Sequence, residues 1–244
     1  MKKPLLIIPA RYASTRFPGK PLVMIHGKPM VQHVFERCRE VCDQVVVATD
    51  DKRIAEAVSA FGGEFIMTSP NHQSGTDRCA EAAALLASKY EFDIVINVQG
   101  DEPFIATEQI EAIIGCFDDP ATKIATLVSP IHSAEIVFNP NKVKTVRSAS
   151  GLALYFSRSP IPFLRDYPKE EWLNHTNYFL HIGMYAFSTE TLQAITLLEP
   201  SALEKAEKLE QLRWLENGYP ITTALTFTEN IGIDTPEDLI QINS

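Results

Sequence analysis

Leu5-Leu6-Ile7-Ile8-Pro9-Ala10-Arg11-Tyr12-Ala13-Ser14-Thr15-Arg16-Phe17-Pro18-Gly19-Lys20 is the stretch on which the reading of this chain turns. Four consecutive apolar residues describe a strand buried on both faces, as in a parallel sheet covered by helices. The strand opens into a loop of small residues carrying Arg11, Arg16 and Lys20. An α/β protein uses such a loop to offer backbone N–H groups and fixed cations to a polyphosphate, here a nucleoside triphosphate. Lys20 is followed by Pro21, so the stretch lacks G-x-x-x-x-G-K-[ST]; it also lacks G-x-G-x-x-G, which weakens kinase and dehydrogenase readings. Pro18 and Pro21 stiffen the chain on either side of Lys20. The alternative is an ordinary basic turn.

Outward from this loop, strand-like runs at Leu5–Pro9, Gln44–Ala48, Glu64–Met67 and Asp93–Val98 alternate with helical faces. Val31, Val34, Phe35 and Cys38 mark one face, Ile54, Ala57 and Val58 a second, and Cys79, Ala82, Ala83 and Leu86 a third. That alternation predicts a mostly parallel, Rossmann-like α/β sheet. Ligands of open parallel sheets gather outside the strands' carboxyl ends. The loops at Thr49-Asp50-Asp51, Thr68-Ser69-Pro70 and Gly100-Asp101-Glu102-Pro103 should therefore converge with the first. In the second half, strands fit Lys123–Val128, Val143–Ser148, Leu152–Phe156 and Phe179–Phe187, and helices Thr189–Leu197 and Leu203–Glu216, which predicts a mixed-sheet extension. Pro160–Asn177, with three prolines and little periodicity, reads as a mobile loop over a site or a dimer contact.

The 244 residues, 45% of them hydrophobic, suffice for one compact unit, 1–244. The net charge of −9, without a Lys/Arg run, argues against a nucleic-acid or anionic-membrane surface. No apolar run approaches a membrane span in length, so the expected setting is cytoplasmic. Cys38, Cys42, Cys79 and Cys116 lack metal-type spacing and read as reduced thiols, with neither disulfide nor zinc.

Two carboxylates stand out. Asp101, after a strand and a glycine turn, can face the ligand crevice, where a hard oxygen suits Mg²⁺ bridging phosphates; alternatively Asp101 or Glu102 caps the next helix. Asp234, in Gly232-Ile233-Asp234-Thr235-Pro236-Glu237-Asp238, is by local signals a helix N-cap, and its pairing with Asp101 is what raises it to a second metal ligand. Ser74 and Gly75, by local signals, read as a Ser N-cap and a glycine turn, with Thr76-Asp77 opening a helix.

Eight segments in order then make a resemblance specific: Ile8 to Leu22, Val47-Ala48-Thr49-Asp50, Ser74-Gly75-Thr76-Asp77-Arg78, Asn97-Val98-Gln99-Gly100-Asp101-Glu102-Pro103, Ala153-Leu154-Tyr155-Phe156-Ser157-Arg158, His181-Ile182-Gly183-Met184-Tyr185, Leu209-Glu210-Gln211-Leu212-Arg213 and Asp234 to Asp238. Together, across nearly the whole chain, they resemble the motifs of the 3-deoxy-manno-octulosonate (KDO) cytidylyltransferase family. The resemblance implies a nucleotide-diphospho-sugar transferase (GT-A-like) fold, the reaction CTP + KDO → CMP-KDO + diphosphate for lipopolysaccharide synthesis, Mg²⁺ as cofactor and a homodimer. Residues 1–128 would then be the CTP-binding half, and 129–244 would carry sugar-binding and dimer elements.

Under that resemblance the catalytic set is Lys20, Arg11, Asp101 and Asp234, the last two holding metal. Arg11, Ala13, Ser14, Thr15, Arg16 and Lys20 would hold the triphosphate; Ser74, Gly75 and Arg78 the base; Gln99 and Asp101 complete the nucleotide site. The sugar positions are Gln99, Arg158, Arg165, His181, Tyr185, Glu210 and Gln211. A carboxylate wants a guanidinium, and hydroxyls want a dense set of donors and acceptors. By themselves, His181 and Tyr185 read as polar residues on one strand face, and Glu210 as a solvated helix charge. Two departures mark this chain: Ala13 stands where many sugar nucleotidyltransferases carry glycine, and Leu180 where some relatives carry arginine. Rival readings are an 8-amino-KDO or other 2-keto sugar acid, and a catalytically silent nucleotide-binding protein. A glycosyltransferase should show D-x-D after a strand, and Gln99-Gly100-Asp101 is not that pattern.

Overall fold

The computed structural model describes residues 2–13, 17–228, 232–233 and 238–239. Its elements run β1 (Pro4–Ala10), β2 (Met24–Ile25), β3 (Lys28–Pro29), α1 (Met30–Val41), β4 (Val45–Thr49), α2 (Lys52–Ala60), β5 (Phe65–Met67), α3 (Gly75–Leu86), β6 (Ile94–Asn97) and α4 (Thr107–Gly115). The second half contributes β7 (Ile124–Ile131), α5 (Ala134–Phe138), β8 (Lys144–Arg147), β9 (Ala153–Ser157), α6 (Trp172–His175), β10 (Tyr178–Ser188), α7 (Thr189–Ile195), α8 (Ala202–Glu207), α9 (Gln211–Glu216) and β11 (Ile221–Leu225).

The main sheet has the order β11-β7-β10-β6-β1-β4-β5, with the β8–β9 hairpin attached to β10. β1 pairs in parallel with both β4 and β6, and β4 with β5. β10 runs antiparallel between β6 and β7, and β11 returns parallel to β7. The sheet is thus mostly parallel, with a mixed second half, as the alternation of runs predicts. Side chains of β1 divide between two cores. Leu6 and Ile8 pack with Val34 and Phe35 of α1 and Ile110 of α4, whereas Leu5 and Ile7 pack with Cys79 and Ala83 of α3. Residues 5–8 are wholly buried, which is why the run is continuous rather than alternating.

Two expectations are corrected and one strand is added. The periodic stretch Leu203–Glu216 is two helices, α8 and α9, broken at Lys208, which adopts φ 54° and ψ 48°. Pro160–Asn177 is anchored rather than free over its length: Trp172 is buried among Ile131, Val137 and Tyr178, and its Nε1–H donates to Tyr167 O at 3.0 Å. Finally, β11 is an additional strand at the edge of the sheet, whose Ile-Thr-Thr-Ala-Leu sequence is only partly buried and is too short to stand out as a continuous run. Among the described residues, no helix is long and apolar enough to cross a membrane.

Candidate active site

The first loop leaves β1 and folds back on itself. Gly19 N–H donates to Tyr12 O at 2.9 Å, and Gly19 sits at φ +73°, where a Cβ would lie 3.1 Å from the Tyr12 ring. Glycine is required there for both conformation and space. The next three residues, Lys20–Leu22, form a 3₁₀ turn with Pro21 near its start, so Lys20 emerges from a stiff segment. The Tyr12 ring is covered on its other side by the Arg53 guanidinium, 3.2 Å from its centroid. Lys20 Nζ donates to Asp101 Oδ2 at 2.8 Å; its stem is nearly covered, whereas the Asp101 side chain stays 41% exposed.

Asp101 does not cap the following helix, because α4 starts at Thr107 with Ala106 as its N-cap. The Asp101 carbonyl accepts the N–H of Ile233 at 3.1 Å, so the distal segment arrives beside the Asp101 backbone. Asp234 lies outside the described residues, as do Ser14, Thr15 and Arg16.

A cleft of about 260 Å³ opens between this loop and the start of α3, with Arg11, Lys20 and Asp101 on one side and Ser74, Gly75 and Arg78 on the other. Gln99 also lines it, whereas Ala13 is exposed and does not. Ser74 is the N-cap of α3, its Oγ accepting Asp77 N–H at 3.1 Å, so the capping alternative holds whatever else the residue does. Arg78 is 3% exposed and fixed by Thr68 Oγ1 at 2.6 Å and Asp50 Oδ2 at 3.3 Å. His72, to which spacing assigns no role, lines the same cleft with its ring against the Glu81 carboxylate of α3. Its partner is nine residues away, a spacing with no sequence signature.

The cleft borders a second polar cluster. Gln99 Nε2 donates to Gly183 O at 3.0 Å, and Thr76 Oγ1 donates to Glu210 Oε2 at 2.8 Å. The His181 and Tyr185 rings lie 5.3 Å apart, across an irregularity in β10 between Ile182 and Tyr185. Tyr185 in turn meets Trp214 of α9 edge-on at 5.0 Å. Burial pushes the Glu210 carboxyl up despite the Thr76 bond. Among the described residues, Tyr185 Oη and Gln211 Nε2 are buried, in residues 7% and 5% exposed, without a well-aligned hydrogen bond, the Tyr185 hydroxyl lying beside the Thr126 side chain. Buried polar atoms left unpaired cost free energy, and such a pair beside a cleft reads as hydrogen-bonding capacity held for a ligand.

The other two sugar-position candidates do not join this cluster. Arg158 turns its guanidinium to backbone: Nε to Glu207 O at 2.7 Å, Nη1 to Pro140 O at 3.1 Å and Nη2 to Lys208 O at 3.4 Å. Arg165 is exposed on the 160–177 loop.

His181 Nε2 lies 3.2 Å from Thr126 Oγ1, and its ring meets Phe156 edge-on at 5.0 Å. Burial lowers its pKa from 6.5 to about 3, so the imidazole is neutral at physiological pH. The unfolded chain takes up this proton near pH 6.5 and the folded one only near pH 3, so stability is whole above 6.5 and falls as the pH drops below it. His181→Gln should therefore lose less stability than the parent between pH 7 and pH 5, by about 1 kcal/mol given partial burial. Urea unfolding at the two pH values checks this; parallel losses would contradict it.

Magnesium fits this donor set. Asp101 offers a hard, partly exposed oxygen at a cleft lined by cations suited to phosphates, and Mg²⁺ is commonly held by one or two carboxylates together with substrate phosphates.

A family model described as Cytidylyltransferase matches residues 5–230. The 3-deoxy-manno-octulosonate cytidylyltransferase of Parabacteroides distasonis is 55% identical over 243 residues, 98% of this chain and 96% of its own length. That of Bacteroides thetaiotaomicron is 55% identical over 236 residues, 96% of this chain and 94% of its own. A solved CMP:2-keto-3-deoxy-manno-octonic acid synthetase complexed with CTP aligns with a TM-score of 0.90 at 45% identity, covering 99% of this chain and 97% of that one.

Proposed function

The chain belongs to the cytidylyltransferase family, and on that premise we propose that it activates 3-deoxy-D-manno-octulosonate: CTP + KDO → CMP-KDO + diphosphate, supplying lipopolysaccharide synthesis. Its sheet is that of the nucleotide-diphospho-sugar transferase fold. The observation that carries the reading is a cation-lined cleft tied, through the Gln99–Gly183 and Thr76–Glu210 bonds, to a cluster that holds Tyr185 Oη and Gln211 Nε2, buried polar atoms without a well-aligned partner among the described residues. A triphosphate suits the first and a polyhydroxy acid the second.

In this mechanism the sugar's anomeric hydroxyl attacks the α-phosphorus of CTP in line with the departing diphosphate, so no covalent enzyme intermediate forms. Arg11 and Lys20, with Arg16 and the amides from Ala13 to Thr15, hold the triphosphate and stabilise charge on the leaving group. Ser74, Gly75 and Arg78 hold the base. Gln99 reaches both substrates, while His181, Tyr185, Glu210 and Gln211 orient the sugar; its carboxylate is met from outside that cluster, by Arg165 of the 160–177 loop or by Arg158 Nη1 and Nη2, whose bonds to backbone are solvent-exposed. His181, neutral, serves as a hydrogen-bonding group rather than a cation. Asp101 and Asp234 would hold Mg²⁺, which when bound neutralises phosphate charge and favours ionisation of the attacking hydroxyl. The division follows the chain, nucleotide within 1–128 and sugar within 129–244, in a homodimer in the cytoplasm.

The test is diphosphate release with CTP, Mg²⁺ and a panel of 2-keto sugar acids that includes KDO and its 8-amino analogue. Turnover with KDO foremost is expected; CTP binding without turnover on any acid would favour a silent nucleotide-binding protein. Tyr185→Phe sharpens the result. Among the described residues Tyr185 Oη forms no well-aligned hydrogen bond, its neighbour Thr126 Oγ1 being engaged with His181 and the Ile182 and Met184 carbonyls, so its removal should change Tm little, yet raise KM for the sugar acid about tenfold with KM for CTP unaltered. A stability loss with no effect on that KM would instead make the hydroxyl structural.

A further inference from the structure

Lys208 occupies the left-handed region, which a residue with a side chain enters at a cost, in a stretch whose composition suits one helix from Ala202 to Glu216. The break is substantial in space. Arg213 Nε and Nη2 donate to the two Glu204 oxygens at 2.7 and 2.6 Å, although residues nine apart on one helix lie about 13.5 Å apart along its axis.

What holds the break lies on β9. The Glu207 carboxylate accepts Ser157 Oγ–H at 2.6 Å and Arg158 N–H at 2.9 Å. Arg158 Nε and Nη2 return to the carbonyls of Glu207 and Lys208. A strained residue persists where its surroundings over-determine it, and these contacts do so from both sides of the Glu207–Lys208 peptide. The consequence lies immediately downstream. Glu210 becomes the N-cap residue of α9 and accepts from Thr76 of α3, and Gln211 is buried with Nε2 unpaired among the described residues.

We infer that Glu207 is a positioning residue for the acceptor pocket: by fixing the left-handed turn at Lys208, it aims Glu210 and Gln211 at the sugar acid. The inference rests on the acceptor role proposed above for that pair, and it assigns Arg158 a second task as the clamp on the same turn.

Glu207→Gln tests it, since an amide offers one acceptor where two donors converge and sets an N–H₂ against one of them. Lys208→Gly enters the left-handed region without cost and should make the clamp dispensable. Glu207→Gln should raise KM for KDO about tenfold with KM for CTP changed less than about twofold. The Glu207→Gln/Lys208→Gly double variant should recover most of that loss, and Lys208→Gly alone should match the parent. Amide hydrogen exchange over 207–212 should quicken in the single Glu207 variant and slow again in the double. Equal rises in both KM values, or a defect that glycine does not rescue, would overturn the inference. Absence of turnover by the parent on every acid would instead overturn the functional reading; hydrogen exchange would then still decide whether Glu207 fixes the turn.

Discussion

Asp101→Asn should lower kcat for diphosphate release about 10³-fold, with Tm held within about 2 °C. Asparagine keeps the size of the side chain, and its amide oxygen can still accept from Lys20, so the loop geometry that depends on the 2.8 Å contact has no reason to change. The backbone bond from Ile233 to the Asp101 carbonyl is untouched. What disappears is a full negative charge at the partly exposed end of the pair. In the proposed mechanism that charge helps hold magnesium against the triphosphate. Calorimetric affinity for CTP without metal should therefore be unchanged or tighter, since a like charge facing the phosphates has been removed. The expected signature is a collapse of kcat rather than a rise in KM, measured by steady-state diphosphate release with circular dichroism as the control on folding. A variant retaining a near-normal rate would reduce Asp101 to a counter-ion for Lys20.

Lys20→Met should cost about 10²-fold in kcat/KM for CTP while KM for the sugar acid moves less than about threefold. Methionine preserves the nearly covered aliphatic stem, so the comparison isolates the ammonium. Lys20 lies on the 3₁₀ turn fixed by Gly19 and Pro21, remote in sequence from the acceptor cluster. Because Lys20 and Asp101 are in contact, their losses should not add: the double variant should be little worse than Asp101→Asn alone. Equal effects on both substrates would contradict a phosphate role for Lys20, and simple additivity would contradict joint action.

The parallel half was legible because strands buried on both faces leave an unbroken apolar signature: Leu5–Ile8, Val45–Val47 and Ile94–Ile96 all lie at 2% exposure or less. Given those strands, the rule that ligands collect at carboxyl ends brought Arg11 and Asp101 to one cleft, whereas Ser74 and Arg78 came from the family resemblance; the loops at 49–51 and 68–70 do not line it, Asp50 and Thr68 instead holding Arg78. β11 escaped because an edge strand of Ile-Thr-Thr-Ala-Leu has only partial burial to encode. The turn at Lys208 escaped for a stronger reason. No Gly, Pro or Asn marks it, and the contacts that enforce it come from Ser157 and Arg158, some fifty residues earlier. The two unpaired atoms in the acceptor cluster were equally invisible, since an absent partner has no signature in composition or spacing.

The bonds Thr76–Glu210 and Gln99–Gly183 join two sets of residues drawn from different stretches of chain. On the proposed function, choice of nucleotide falls to the loops of the parallel strands, whose burial tolerates little change, and choice of acceptor to β10, with its irregular pairing, and to a helix turned by a single residue. Such wiring lets a lineage exchange one sugar acid for another at the second set while inheriting its nucleotide unaltered from the first.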